Sequence, residues 1–214
     1  MKTAVIGATG KAGQLIAQEL KKRGHHVTAI IRNKSNLTAN VDDVIEKNVN
    51  DLTATDVMPF QAVINAIGFP PEHSDQHVTV GRHLIAIFSE VKTARLLVVG
   101  GAGSLYVDKN HSRMLKDMPS FPDIFKPIAE AQSKNLADLR DVKTFDWTFI
   151  SPAADFRVDG GRTGTYTKAS EELTTNKEGN SYISYADFAI AVADEVEQAS
   201  VLKGRFTVVG EELQ

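Results

Sequence analysis

Seven residues near the start of the chain, Gly7-Ala8-Thr9-Gly10-Lys11-Ala12-Gly13, leave little choice about what can surround them. They follow the short apolar run Ala4-Val5-Ile6. After them Ala12, Leu15, Ile16 and Leu20 recur at helical spacing over residues 11–23, with Gly24 placed as a C-terminal cap. The segment therefore reads as a turn from a buried strand into an amphipathic helix. In such a turn Gly7 allows the tight departure from the strand. Gly10 lets backbone approach a phosphate, and Gly13 lets helix and strand pack closely. The unpaired amides of the first helical turn, reinforced by the helix dipole, then face an anion. The spacing is GxxGxxG, with Thr9 where the commoner fingerprint has its second glycine. In this strand–turn–helix context it predicts a dinucleotide pyrophosphate site; a glycine-rich turn without ligand is the alternative.

The rhythm continues. Strand-like segments at 3–6, 27–31, 44–46, 62–66, 95–99 and 145–150 alternate with helix-like ones at 11–23, 77–91 and 127–139. Val80, Leu84, Ile87, Phe88 and Val91 stripe the second helix, and Pro127 opens the third. Most of the strands are continuous apolar runs, as parallel strands covered on both faces require. The pattern predicts an α/β, Rossmann-type, doubly wound parallel sheet. Past residue 150 the composition turns to Gly, Thr, Ser and Lys. Ser184-Tyr185-Ala186-Asp187 then opens a helix to 198, striped by Phe188, Val192 and Val196, before a last strand at 205–209. No internal repeat appears. One domain over 1–214 is expected, with 153–183 and the C-terminal helix forming a small substrate lobe.

Charge and composition remove several classes of function. With 24 Lys and Arg against 27 Asp and Glu, the net charge of −3 gives no basic face for nucleic acid. The absence of cysteine excludes disulfides, thiolate catalysis and Cys-based metal centres. His73 and His77 lie four apart, but no third ligand accompanies them, and no metal site is expected. No apolar run approaches the roughly 20 residues that span a bilayer, and the N-terminus carries no secretion signal. No membrane partner and a cytoplasmic location are the expectations. Nothing in the sequence signals an oligomeric state.

The end of the second strand bears on the cofactor. An acidic residue there would hold the ribose hydroxyls of NAD. This chain instead reads Ile31-Arg32-Asn33-Lys34. Arg32 offers a planar fork for a phosphate and Lys34 a point charge, so NADP(H) is favoured, with NAD(H) the alternative. A solvated surface arginine is the bland reading. Asn50-Asp51-Leu52 follows the third strand, where such sheets hold the adenine edge. Ala66-Ile67-Gly68 ends the fourth strand, beneath the adenosine ribose and phosphates. Asp51 could equally be a loop cap and Gly68 an ordinary turn glycine.

Five stretches together carry a family resemblance: Gly7 to Gly13, Asn50 to Leu52, Val98-Val99-Gly100-Gly101-Ala102-Gly103-Ser104-Leu105, Asp146-Trp147-Thr148-Phe149-Ile150-Ser151-Pro152, and Tyr182 to Ala189. They resemble the atypical short-chain dehydrogenase/reductases, and within them the NADH-flavin reductase branch, which is similar to biliverdin-IXβ reductase and NmrA-like redox sensors. The resemblance covers the whole chain. It implies hydride transfer from NAD(P)H to a small flat aromatic acceptor such as a flavin or quinone, with flavin a substrate and not a bound prosthetic group. It also implies that Gly101 and Ser151-Pro152-Ala153 border the nicotinamide, with Ser104 a hydrogen-bonding candidate beside it and Lys134 a contact to cofactor ribose. Their bland readings are turn residues and a solvated helix-face lysine.

The larger superfamily uses a Tyr-x-x-x-Lys pair to protonate a carbonyl. Here Tyr106, Tyr166, Tyr182 and Tyr185 are followed four residues on by Asn110, Ser170, Ala186 and Ala189, and Glu130 stands four before Lys134. This departure argues against ordinary alcohol/ketone chemistry. His111 lies in the polar stretch 108–113, read as a flap. The alternative function is a non-catalytic, NmrA-like sensor that binds dinucleotide and acts through a protein partner.

Overall fold

The computed structural model describes residues 1–91 and 93–213. The first half runs β1 (Lys2–Ile6), α1 (Lys11–Lys22), β2 (His26–Ile31), β3 (Asp43–Glu46), α2 (Ala54–Val57), β4 (Ala62–Asn65), α3 (Gln76–Ser89) and β5 (Arg95–Val99). The second runs α4 (Lys126–Arg140), β6 (Trp147–Ser151), β7 (Asp155–Arg157), β8 (Thr167–Ala169), β9 (Tyr182–Ser184), α5 (Tyr185–Gln198) and β10 (Gly204–Val209). Eight strands form one sheet in the order β3-β2-β1-β4-β5-β6-β10-β8, parallel except for β8, which runs antiparallel to β10. β7 and β9 make a separate parallel ribbon. The Rossmann-type doubly wound sheet expected from the alternation is the observed fold.

Successive side chains of each strand point to opposite faces, so one strand feeds two cores. Val5 joins Ile16 and Leu20 of α1 and Phe188 and Val192 of α5 on one face. Its neighbour Ile6 joins Leu84 and Phe88 of α3 and Leu136 of α4 on the other. From β1 the chain proceeds to β2 and β3 on one side, then crosses back to β4, β5 and β6 on the other. The carboxyl ends of β1 and β4 therefore diverge at a topological switch point, where open α/β sheets leave a crevice.

The turn after β1 is as tight as its glycines permit. Gly7 sits at φ +81°, in the region L side chains avoid. Its amide donates to the Ile30 carbonyl at 3.0 Å, and its carbonyl accepts from Gly10 at 2.9 Å. A Cβ at Gly13 would lie 2.9 Å from the Gly7 carbonyl carbon and nearer still to its oxygen. Helix α1 thus rests directly on the turn. Gly10 is its N-cap and has no side chain to occupy the first amides, while Lys21 and Lys22 complement the dipole at the far end.

The C-terminal half is fastened to this frame by side chains. Ser184 Oγ accepts from the Asp187 amide at 3.0 Å, the N-cap expected from the sequence. The fully buried Asp187 carboxylate accepts from Thr163 N at 3.0 Å, Thr163 Oγ1 at 2.7 Å and Gly164 N at 2.9 Å, holding the loop before β8 onto α5. Buried Glu19 of α1 receives Arg23 at 2.9 Å and Arg162 of that loop at 3.0 Å. At the other end of α5, buried Arg95 donates to the carbonyl of Glu195 (2.5 Å), which also accepts from the Ala199 amide, and to that of Val196 (3.1 Å).

Three expectations shift. β6 begins at Trp147 and reaches Ser151, with Phe145 left to pack against Phe88 at 5.6 Å between ring centroids. Residues 153–184 contain three strands of three residues each, too short to show a period of two. The four-residue α2 was not foreseen; it is closed by Thr53 and Asp56 in a capping box. Among the described residues no helix is long and apolar enough to cross a membrane.

Gly13→Ala should cost about 1–3 kcal/mol, the usual range for overpacking a close contact. Thermal denaturation should show a melting point lower by several degrees. An unshifted melting point would mean that α1 can lift off the turn freely.

Candidate dinucleotide site

A cavity of about 370 Å³ opens at the carboxyl ends of β1 to β4. Gly7, Thr9 and Gly10 line one side, Ile31 and Arg32 another, and Ala66, Ile67 and Gly68 a third. Residues Lys47 to Asn50, after β3, and Phe69, Pro70, His73 and Gln76, before and at the start of α3, complete the wall. The residues fit a dinucleotide. The uncapped amino end of α1 meets this cavity through Gly10, and the approach is made by backbone without side chains. The walls combine aliphatic surface with a few polar groups, as nucleotide sites do.

Of the residues singled out from the sequence, Gly7, Thr9, Gly10, Arg32, Asn50, Ala66, Ile67 and Gly68 come together here. Lys11 is exposed at the first position of α1, and Ala12 and Gly13 lie behind the turn. Asp51 is exposed in a short 3-10 turn. Leu52 is a core residue, 2% exposed, whose carbonyl accepts from His83 Nε2 at 3.0 Å. Lys34 sits in an exposed 3-10 turn outside the cavity wall, and the lysine on that wall is Lys47. Sequence reasoning passed over Lys47, although it follows the end of β3 as Arg32 follows the end of β2.

The residues assigned to the nicotinamide side are held differently, outside this cavity wall. The glycines after β5 admit neighbours: Phe149 fills the space beside Gly100, the Gln132 side chain that beside Gly101, and Ala129 that beside Gly103. Ser104 is buried, and its hydroxyl oxygen accepts from Arg205 Nη1 at 2.9 Å. Arg205 also donates through Nε to Glu171 at 3.0 Å, and Glu171 receives Arg140 at 2.7 Å. Ser151 is fully buried, its Oγ without a hydrogen-bond partner among the described residues, and Pro152 is buried beside it. Ala153 packs in the core against α1 and α5. Lys134 and Glu130 are both exposed on α4.

The stretch 108–113 forms a compact turn closed on Asp108. The Asp108 carboxylate accepts from the amides of Asn110 (3.0 Å), Ser112 (3.2 Å) and Arg113 (2.9 Å). His111, at φ +54°, stacks on Tyr106 with ring centroids 4.4 Å apart, and its Nε2 lies 2.6 Å from Glu172 Oε1.

His77 sits just behind the cavity, its ring 5.0 Å from and edge-on to that of Phe69. It is 7% exposed, and Nε2 has no hydrogen-bond partner among the described residues. Burial pushes its pKa down to about 4, so it is neutral near pH 7. Between its folded value and the unfolded value near 6.5, the unfolded chain binds the extra proton. Stability should therefore fall as the pH drops from about 6.5 towards 4, by about 3 kcal/mol in all, and be flat above that window. Denaturant titrations between pH 4.5 and 7.5 should show this slope in the wild type and lose it in His77→Leu. Equal slopes would mean that His77 is protonated in the folded protein.

A model of the NAD(P)H-binding family matches residues 7–199. The uncharacterised protein YwnB of Bacillus subtilis (strain 168) is 51% identical over 211 residues, 99% of either chain. Among solved structures, SP1627 of Streptococcus pneumoniae TIGR4 superposes with a TM-score of 0.94 at 43% identity, covering 99% of this chain and 100% of that one. A Bacteroides thetaiotaomicron structure gives 0.89 at 32% identity, covering 100% and 98%. The first is described as a putative NADH-flavin reductase and the second as a putative epimerase. A fingerprint turn in the right context, a crevice at the switch point and a family match over most of the chain agree: this chain belongs to the NAD(P)H-binding family and has a Rossmann-type fold.

Proposed function

We propose that the protein is an NAD(P)H-dependent reductase that passes hydride to a flat aromatic acceptor such as a flavin or quinone, and that NADP(H) is its favoured cofactor. The observation that carries the cofactor reading is the pairing of an uncapped α1 terminus with Arg32 on the wall of one cavity. In this reading residues 7–13 hold the pyrophosphate, and Arg32 holds the 2′-phosphate. Asn50 bounds the adenine, and Ala66, Ile67 and Gly68 the adenosine ribose. Gly101, Ser151, Pro152 and Ala153 border the nicotinamide ring, and Lys134 lies towards its ribose. When bound, the nicotinamide supplies the hydride.

The acceptor reading rests on the family resemblance, on the description of SP1627 and on the missing Tyr-x-x-x-Lys pair. An electron-poor ring that accepts hydride can take its proton from water, so the chain need only position the ring and exclude competing reactions. Ser104 is suited to positioning, because its oxygen is already held by Arg205. Oxidation of NADPH should accelerate on adding free flavin or a quinone. Tight cofactor binding with no turnover of any acceptor would favour the dinucleotide-sensor alternative.

The cofactor preference has its own test. A charge-assisted hydrogen bond from an exposed guanidinium to a phosphate contributes about 1.5–2 kcal/mol, so NADPH should bind at least about tenfold more tightly than NADH. The ratio should shrink at high salt. Arg32→Asp should invert it, repelling the 2′-phosphate and offering an acceptor to the ribose hydroxyls. A ratio of dissociation constants unchanged by that substitution would place Arg32 in solvent and return the preference to NADH.

A further inference from the structure

Arg32 has a neighbour whose position the sheet itself dictates. β2 and β3 are parallel and in register, Ile31 opposite Glu46, and the Lys47 amide donates to the Ile31 carbonyl at 2.9 Å. Arg32 and Lys47 therefore leave the sheet side by side, and both line the same cavity. Lys47 is not a simple second cation. Its Nζ lies 2.7 Å from Asp56 Oδ2. That same oxygen accepts from Thr53 N at 2.7 Å and Thr53 Oγ1 at 2.8 Å, closing the amino end of α2. Asp56 cannot swing away from Lys47 without opening the helix it caps.

We infer that Lys47 is a second specificity-determining residue for the adenosine 2′-phosphate, and that Asp56 is a fixed counter-charge limiting how strongly the phosphate is preferred. The inference rests on the assignment of this cavity to the adenosine end of NADP(H). An ammonium has three N–H donors. One is committed to Asp56, and the others are available to a phosphate lodged between Lys47 and Arg32. The phosphate gains those donors and meets the Asp56 carboxylate behind them. The pair also fixes where Lys47 points, which a free lysine on a flexible stem would not do. The site thus favours a 2′-phosphate while remaining open to a ribose that lacks one.

The test compares adenosine 2′,5′-bisphosphate with 5′-AMP by calorimetry, probes that differ only in the 2′-phosphate and need no turnover. Lys47→Met should lower the wild-type preference for the bisphosphate about fivefold, the effect of one partly solvated ion pair. Asp56→Asn should raise it by a similar factor, because it removes the counter-charge and keeps an oxygen to cap α2. Both effects should grow at low salt. If Asp56→Asn melts early, Lys47→Met, which leaves the cap intact, decides alone. A structural role for either residue would change both affinities together and leave their ratio alone, and that result, or a shift in the same direction for both variants, overturns the inference. If Arg32→Ala changes the ratio while Lys47 and Asp56 do not, the NADP(H) reading stands and this inference falls. If the wild type does not distinguish the probes, both fall.

Discussion

Helix α1 can lie on the turn that follows β1 only because Gly13 has no side chain. The contact is backbone against backbone, with the Gly7 carbonyl beneath the helix and the Gly7 amide bonded across to β2. A methyl group at that point would tilt or lift α1, and three other features depend on its seat. The uncapped amides at Gly10 would no longer face the cavity. Ile16 and Leu20 would leave the core they share with α5. Glu19, which anchors Arg162 of the C-terminal loop, would move with them. A steric requirement at one atom therefore reaches both the phosphate-facing turn and the C-terminal half.

The frame around that contact is closed by charged side chains at the ends of α5. Asp187 accepts from the Thr163 and Gly164 amides at one end, and Arg95 donates to the Glu195 and Val196 carbonyls at the other. Buried charges of this kind add little net stability when exchanged for apolar groups of equal volume. They do penalise any arrangement that leaves one of them unpaired. Their consequence here is positional. The segment 160–165, which has little apolar content, is set against α5 by directional bonds that hydrophobic burial could not supply.

Much of this was legible in the residues. The alternation of apolar runs with striped helices foretold the parallel sheet, because strands covered on both faces must be apolar throughout. The Gly7–Gly13 spacing foretold the turn, and Ser184 its cap. What escaped was short or long-range. β7, β8 and β9 have three residues each, and pair with partners distant in sequence, so no local pattern marks them. Lys34 looked like the second cation because it is two residues from Arg32. Lys47 is the one beside Arg32 on the cavity wall, through a pairing of β2 with β3 that sequence proximity does not reveal. Ser104 read as a turn serine or a contact near the nicotinamide; its partner Arg205, 101 residues away, could not be foreseen.

The cavity and the region after β5 are thus built by different means, and this bears on how one fold carries several activities. The cavity is drawn from segments within the first 76 residues, and its place follows from strand order and glycine placement. The region after β5 is held by side chains that meet across the whole chain: Ser104 with Arg205 of β10, Arg205 with Glu171, Glu171 with Arg140. Two structures that superpose closely on this chain are described as a putative reductase and a putative epimerase, so the frame alone does not fix the chemistry. The frame of an NAD(P)H-binding chain is thus set by strand order and glycine placement, whereas the region after β5 is held by contacts between residues far apart in sequence.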